Sequence, residues 1–100
     1  MSTTLTLPRF IEIEENQTEE IKDTERPYIV ILYNDDYHEA DEVVLQLQKA
    51  TGYDESTADS VMYEAHMHGR AVAFKGNGSE CERVAAVLRQ IRLQVETDRA

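Results

Sequence analysis

One hundred residues with 41% hydrophobic side chains, seven aromatics and no Trp support one small domain whose core comes mainly from Val, Leu, Ile and Ala. Twenty Asp and Glu against ten Lys and Arg leave a formal charge of −10, which argues against a protein that coats nucleic acid or an anionic membrane and favours cationic partners. Cys81 has no second cysteine to pair with, and neither a membrane-length apolar run nor a secretory-signal layout is visible, so a reducing, cytoplasmic setting is expected.

Residues 1–26 form an acidic, Thr- and Gln-containing stretch without helical periodicity, closed by Pro27; a mostly flexible N-terminal tail is expected there, with the folded domain over residues 27–100. Tyr28–Tyr33 is β-branched and aromatic at both parities, the pattern of a central strand covered on much of both faces. Asn34, Asp35 and Asp36 end it with turn-forming side chains. Asp36 and Glu39 have capping-box spacing for a helix starting near residue 37 or 38. Its stripe is Ala40, Val43, Val44, Leu47 and Ala50, and Gly52 ends it. Asp54 caps a second helix with the stripe Ala58, Val61, Met62 and Ala65, ended by Gly69.

Arg70–Lys75 reads as a short strand with Val72 and Phe74 on one side. Ser79 and Glu82 then form an S-x-x-E box opening a third helix, with Cys81, Val84, Ala85 and Leu88 inward. Leu93–Thr97 alternates as a last strand. The order β-α-α-β-α-β, with helices on one face of three strands, is a two-layer α+β domain.

Charge is concentrated rather than spread. Residues 35–64 hold nine acids and only Lys49, whereas residues 65–100 hold four acids and six bases. An acidic middle of this kind attracts a positively charged ligand, although solvated helix surfaces carry the same pattern.

The candidate polar site is Asn34, Asp35 and Asp36 at the strand end together with helical His66. Amide and carboxylate oxygens and a neutral imidazole nitrogen are all acceptors, a set that suits an ammonium group. Turn and capping duties are the commoner use of Asn and Asp in such a connection, and Asp36 can serve both ends. Met62 and His66, at i and i+4, share one helix face. No metal site is expected, because His66 and His68 point apart on a helix and Cys81 lies alone in another element. No cofactor is implied either: Gly76-Asn77-Gly78 lacks the Lys and spacing of a phosphate loop. Nucleophilic catalysis lacks parts, since Cys81 sits at an inward helix position without an evident base.

The run Arg26-Pro27-Tyr28-Ile29-Val30-Ile31-Leu32-Tyr33-Asn34-Asp35-Asp36-Tyr37, then Val43, Gln48-Lys49, Tyr53-Asp54, Met62 and Glu64-Ala65-His66-Met67-His68-Gly69-Arg70-Ala71, resembles the ClpS family of Clp protease adaptors over residues 26 to 97. The resemblance implies a β-α-α-β-α-β domain with a three-stranded antiparallel sheet. It implies an adaptor, not an enzyme, that binds the first residue of a substrate protein, the N-degron, and hands it to a Clp AAA+ unfoldase through the unfoldase's N-terminal domain. Carried over by position, Asn34, Asp35 and His66 hold the substrate's α-amino group, with Asp36 accessory. His38, Ala40, Val43, Met62 and Ala65 line the pocket for the first side chain. Glu80 and Arg83 stand nearest to where family members meet the unfoldase.

Three positions depart from the family pattern: His38 stands where a small Thr is usual, Ala40 where Met often guards the pocket, and Ala65 where Val is usual. A roomier pocket and an altered preference among first residues are expected, with Ile, Val or a large aromatic better tolerated. Either Ile91 or Leu93 closes the pocket. A monomer is the simplest assembly. The alternative readings are a domain of this fold that regulates or blocks the unfoldase without binding peptides, and a small hydrolase built on Asp35 and His66.

Overall fold

A computed structural model describes residues 26–100. It contains strand β1 (Tyr28–Tyr33), helix α1 (Ala40–Thr51), helix α2 (Glu55–His68), strand β2 (Arg70–Gly76), helix α3 (Gly78–Arg89) and strand β3 (Val95–Arg99). The expected order is present, and the expected tail lies, except for Arg26, outside the described residues. Among the described residues no helix is long and apolar enough to cross a membrane.

β1 is central: the strand order is β2-β1-β3 and both pairings are antiparallel. Its alternate residues Val30 and Leu32 are fully buried beneath the helical layer, where they meet Val84, Leu88 and Leu47 in one core. Each such side chain contributes on the order of 1.5–3 kcal/mol by leaving water. Ile29, Ile31 and Tyr33, on the other parity, are only half-buried, because the helices cover one face alone. Coverage of β1 on both faces is therefore corrected: its outer face is shielded by neighbouring side chains, such as the Tyr33 hydroxyl donating to Glu96 at 3.0 Å.

A β-bulge corrects the second strand. Ile31 lies opposite Val72 while Val30 lies opposite Phe74, so Ala73 is the extra residue. The insertion breaks the period of two. Val72 is 54% exposed, whereas Phe74 packs against the core, so the two do not share a face.

Helix ends show what the capping patterns selected. Asp54 accepts from the Thr57 amide at 2.8 Å, and α1 and α2 both end on left-handed glycines, Gly52 and Gly69, as expected. α1 begins at Ala40, not at 37 or 38; its N-cap is Glu39, without a side-chain bond. Asp36 does not cap it, because Asp35 takes the amides of Tyr37 and His38 and holds the connection in a bend. α3 uses a different box from the one expected. Asn77 accepts from the Glu80 amide at 2.8 Å and Glu80 accepts from the Asn77 amide at 3.1 Å, two residues before the Ser79–Glu82 pair.

β3 also starts later than Leu93. Arg92 adopts a positive φ of 67° in a tight turn after α3, which directs Leu93 into the interior before the strand begins at Val95. α3 lies against all three strands, while α1 packs on α2 and α3. Between these layers Gln46, a buried polar residue, donates to the Val87 carbonyl at 2.7 Å, and the Tyr53 hydroxyl donates to the Ala73 carbonyl at 2.7 Å. Buried groups of this type need such partners.

Candidate functional site

The end of β1 is clasped on both sides. The Tyr33 amide donates to the Gln94 carbonyl and the Asn34 amide to the Gly69 carbonyl, each at 2.9 Å. Gly69 turns α2 off with φ of 90° while its own amide donates to Ala65 at 2.8 Å. Asn34 is thus fastened to the same helix terminus that carries Ala65 and His66. The left-handed turn that ends α2 and the site that begins after β1 are one construction.

Around this junction lies a cleft of about 320 Å³. Its apolar surface comes from Leu32 of β1, Val43 of α1, Met62 and Ala65 of α2, and Leu93. Its polar rim comes from Asn34, Asp35, Asp36 and His38 in the β1–α1 connection and from His66 of α2; Ala40 stands at the exposed edge. The dimensions suit a single side chain or small ligand. Every residue expected for the amine site and the side-chain pocket therefore lines one cleft.

Asp35 is the organising residue. One carboxylate oxygen accepts the amides of Tyr37 and His38, both at 2.9 Å, and the other lies 2.8 Å from His38 Nδ1. Burial alone raises the Asp35 carboxyl, but the two backbone donors and the His38 ring outweigh it and hold it below the ordinary carboxylate value. The side chain that holds the turn thus also lines the cleft.

His38 links the β1–α1 connection to the turn after α3. Its Nε2 lies 2.5 Å from the Ile91 carbonyl while Nδ1 faces Asp35. A carbonyl and an ionised carboxylate only accept, so a ring that donates from both nitrogens, the imidazolium, satisfies both contacts. The bond to Ile91 raises the His38 pKa, burial opposes it, and the bond and charge of Asp35 with the charge of Glu42 add to the rise. His38 and Asp35 side chains are only 11% and 13% exposed, so solvent screens this pair weakly.

Ile91 and Leu93 are both involved, in different ways. Leu93 lines the cleft with its side chain; Ile91 contributes its carbonyl to His38. Leu32 and Tyr33 also border the cleft without having been expected. The signal for Leu32 was its inward parity on a strand whose next residues carry the polar groups.

Glu80 and Arg83 lie on α3, away from the cleft. Glu80 belongs to the capping box and Arg83 Nη1 donates to the Ala50 carbonyl at 3.0 Å, closing the end of α1. Cys81 is fully buried, its Sγ 3.8 Å from the Gly76 carbonyl, and burial pushes its thiol up, the opposite of an activated nucleophile.

Residues 23–96 match the family ATP-dependent Clp protease adaptor protein ClpS. The chain is 44% identical over 57 residues to the ATP-dependent Clp protease adapter protein ClpS of Sodalis glossinidius, a match spanning 54% of each chain. It is 30% identical over 83 residues to the protein of the same name from Streptomyces avermitilis, spanning 79% of each. In three dimensions it is similar to Agrobacterium tumefaciens ClpS2 bound to L-phenylalaninamide, with a TM-score of 0.70 and 27% identity, covering 75% of this chain and 98% of that one.

Proposed function

The chain belongs to the ClpS family of ATP-dependent Clp protease adaptor proteins, and from that premise we propose that its cleft captures the first residue of a substrate protein and that the domain delivers the substrate to a Clp AAA+ unfoldase in the cytoplasm. The observation that carries this reading is the convergence of Asn34, Asp35 and His66 on the rim of an apolar cleft. An N-terminal ammonium offers several donors and a charge; an internal amide offers one donor and none. Acceptors left unpaired by an internal residue penalise it more than a mismatch of apolar shape does. The similar Agrobacterium protein, bound to an amino-acid amide with a free amine and an aromatic side chain, has the ligand chemistry this cleft suits.

Each residue then has a role. Asn34, Asp35 and His66 accept from the ammonium group, with Asp36 adding negative charge at the exposed rim. Val43, Met62 and Ala65, with Leu93, receive the first side chain, while Ala40 leaves the outer edge open and His38 borders the pocket, tied to Ile91. The domain acts as a monomeric binding module with no catalytic step. The outward surface of α3 near Glu80 and Arg83 meets the unfoldase's N-terminal domain.

A domain that only regulates the unfoldase is the second reading, favoured by one feature: both Asp35 oxygens already have partners inside the chain. A carboxylate accepts about four hydrogen bonds, so room for an ammonium remains. Degradation of reporters beginning with Phe, Leu or Met by a Clp unfoldase and protease separates the two. The adaptor reading requires this protein to accelerate loss of the Phe or Leu reporter over the Met reporter; uniform inhibition of all three supports the regulator.

A further inference from the structure

The two partners of His38 belong to different elements, Asp35 lining the cleft and Ile91 lying two residues before the lining residue Leu93. Asp35 sits in the β1–α1 connection. Ile91 sits in the turn that leads from α3 to Leu93, whose side chain forms part of the apolar lining. That turn is closed by the Arg92 amide donating to the Arg89 carbonyl at 2.9 Å and, less closely, by the Leu93 amide reaching the Leu88 carbonyl at 3.4 Å, while Arg92 has a positive φ of 67°, a conformation that non-glycine residues disfavour. Just beyond it the Tyr33 amide holds the Gln94 carbonyl at 2.9 Å; at Ile91 the polar hold from outside the turn is His38.

We infer that His38, as an imidazolium, is a strut that fixes the Leu93 wall against Asp35, and is thereby a positioning residue that sets which first side chains the pocket accepts. The selectivity part rests on the reading of the cleft as the N-degron pocket; the strut itself does not. A neutral imidazole donates from one nitrogen and presents a lone pair at the other. The carboxylate is the stronger acceptor, so loss of the proton releases the Ile91 end and lets the Leu93 wall move.

The charged and titratable surroundings of the ring are mostly acidic. Asp35 and, at the exposed rim, Asp36 belong to the same connection; Glu42 of α1 adds negative charge; His66 of α2 lines the same cleft; the Tyr33 hydroxyl of β1 is turned to Glu96; Arg92, the charged residue of the turn, is exposed.

The test uses the full chain labelled with ¹⁵N, without peptide. Long-range proton–nitrogen spectra of the His38 ring are expected to show both nitrogens protonated at neutral pH, changing to one as pH rises. His38→Ala and His38→Gln are expected to speed amide exchange at Arg92 and Leu93 by roughly tenfold, the loss of one charge-assisted bond. Labelled peptides beginning with Phe, Leu, Ile and Val are then titrated against each variant. His38→Ala should weaken the best binder and flatten the ranking. A neutral His38 ring at neutral pH, or unchanged exchange in both variants, overturns the strut. An unchanged peptide ranking in His38→Ala overturns its role in selectivity. Expected spectra and exchange together with no binding of any free N-terminus by the unaltered chain would instead remove the reading of the cleft, and the selectivity role with it.

Discussion

The Asn34 amide donates to the Gly69 carbonyl at 2.9 Å, joining the end of the central strand to the glycine that terminates α2. One bond therefore places a rim acceptor from β1 beside the helix turn that carries His66. Gly69 has φ of +90° and open space where a Cβ would stand, so an added methyl meets no neighbour and the cost is conformational. Gly69→Ala is expected to lower stability by about 1–2 kcal/mol in urea unfolding and to weaken peptide binding more than Gly52→Ala, which repeats the strain at φ of +82° away from the cleft.

The Asp35–His38 pair makes stability depend on pH from both sides. His38's folded pKa is raised, so its contribution is fully present below the ordinary imidazole value of about 6.5 and is lost as pH rises through the folded value. Asp35's folded pKa is lowered, so its contribution is present above the ordinary value of about 3.9 and is lost as pH falls through the folded value. The stability gap between the unaltered chain and His38→Gln should be widest at mildly acidic pH and narrow toward alkaline pH. Urea midpoints across that range check this; a gap that widens with rising pH contradicts it.

At the start of α3, two serviceable capping patterns overlap and only one is used. Asn77→Ala removes an acceptor for the Glu80 amide and is expected to cost about 1 kcal/mol. Ser79→Ala should cost far less, since the Ser79 hydroxyl only donates to the Asn77 side chain on an exposed surface. Thermal unfolding of the two variants distinguishes them.

This pair of boxes shows what the chain's local chemistry discloses and what it withholds. Strand and helix order, the inward stripe of α3, that of α1 from Val43 to Ala50 and the glycine stops were legible because period and left-handed turns are local properties; Ala40, expected inward, is exposed in the first turn of α1. The Asn77 box was missed because Asn-x-x-Glu and Ser-x-x-Glu are equivalent without tertiary context. The fate of Phe74 was hidden by a bulge, whose extra residue is fixed by pairing with β1 and not by the strand's own alternation. At the site, Asn34, Asp35 and His66 were identifiable as acceptors by residue type and by resemblance. The bond from His38 to Ile91, fifty-three positions away, has no counterpart in spacing.

Pocket shape gives a further expectation. Ala40 is exposed at the cleft edge and Ala65 is buried in its wall, so enlarging either narrows the cleft from a different side. Ala40→Met should reduce binding of peptides beginning with Ile or Val relative to Leu, and Ala65→Val should reduce binding of large aromatics. Each lost methylene contact is worth about 1–3 kcal/mol, or tenfold and more in affinity. Fluorescence anisotropy with a matched peptide series measures both; a ranking that ignores both substitutions contradicts the pocket assignment.

The central claim is that Asn34, Asp35 and His66 recognise a free α-amino group. It is tested most directly by titrating one labelled peptide with an N-terminal Phe, and its N-acetylated twin, against the unaltered chain and the Asp35→Ala and His66→Ala variants. The account predicts tight binding of the free peptide, loss of at least tenfold on acetylation, and a comparable loss in each variant. Equal affinity for the free and acetylated peptides would contradict it.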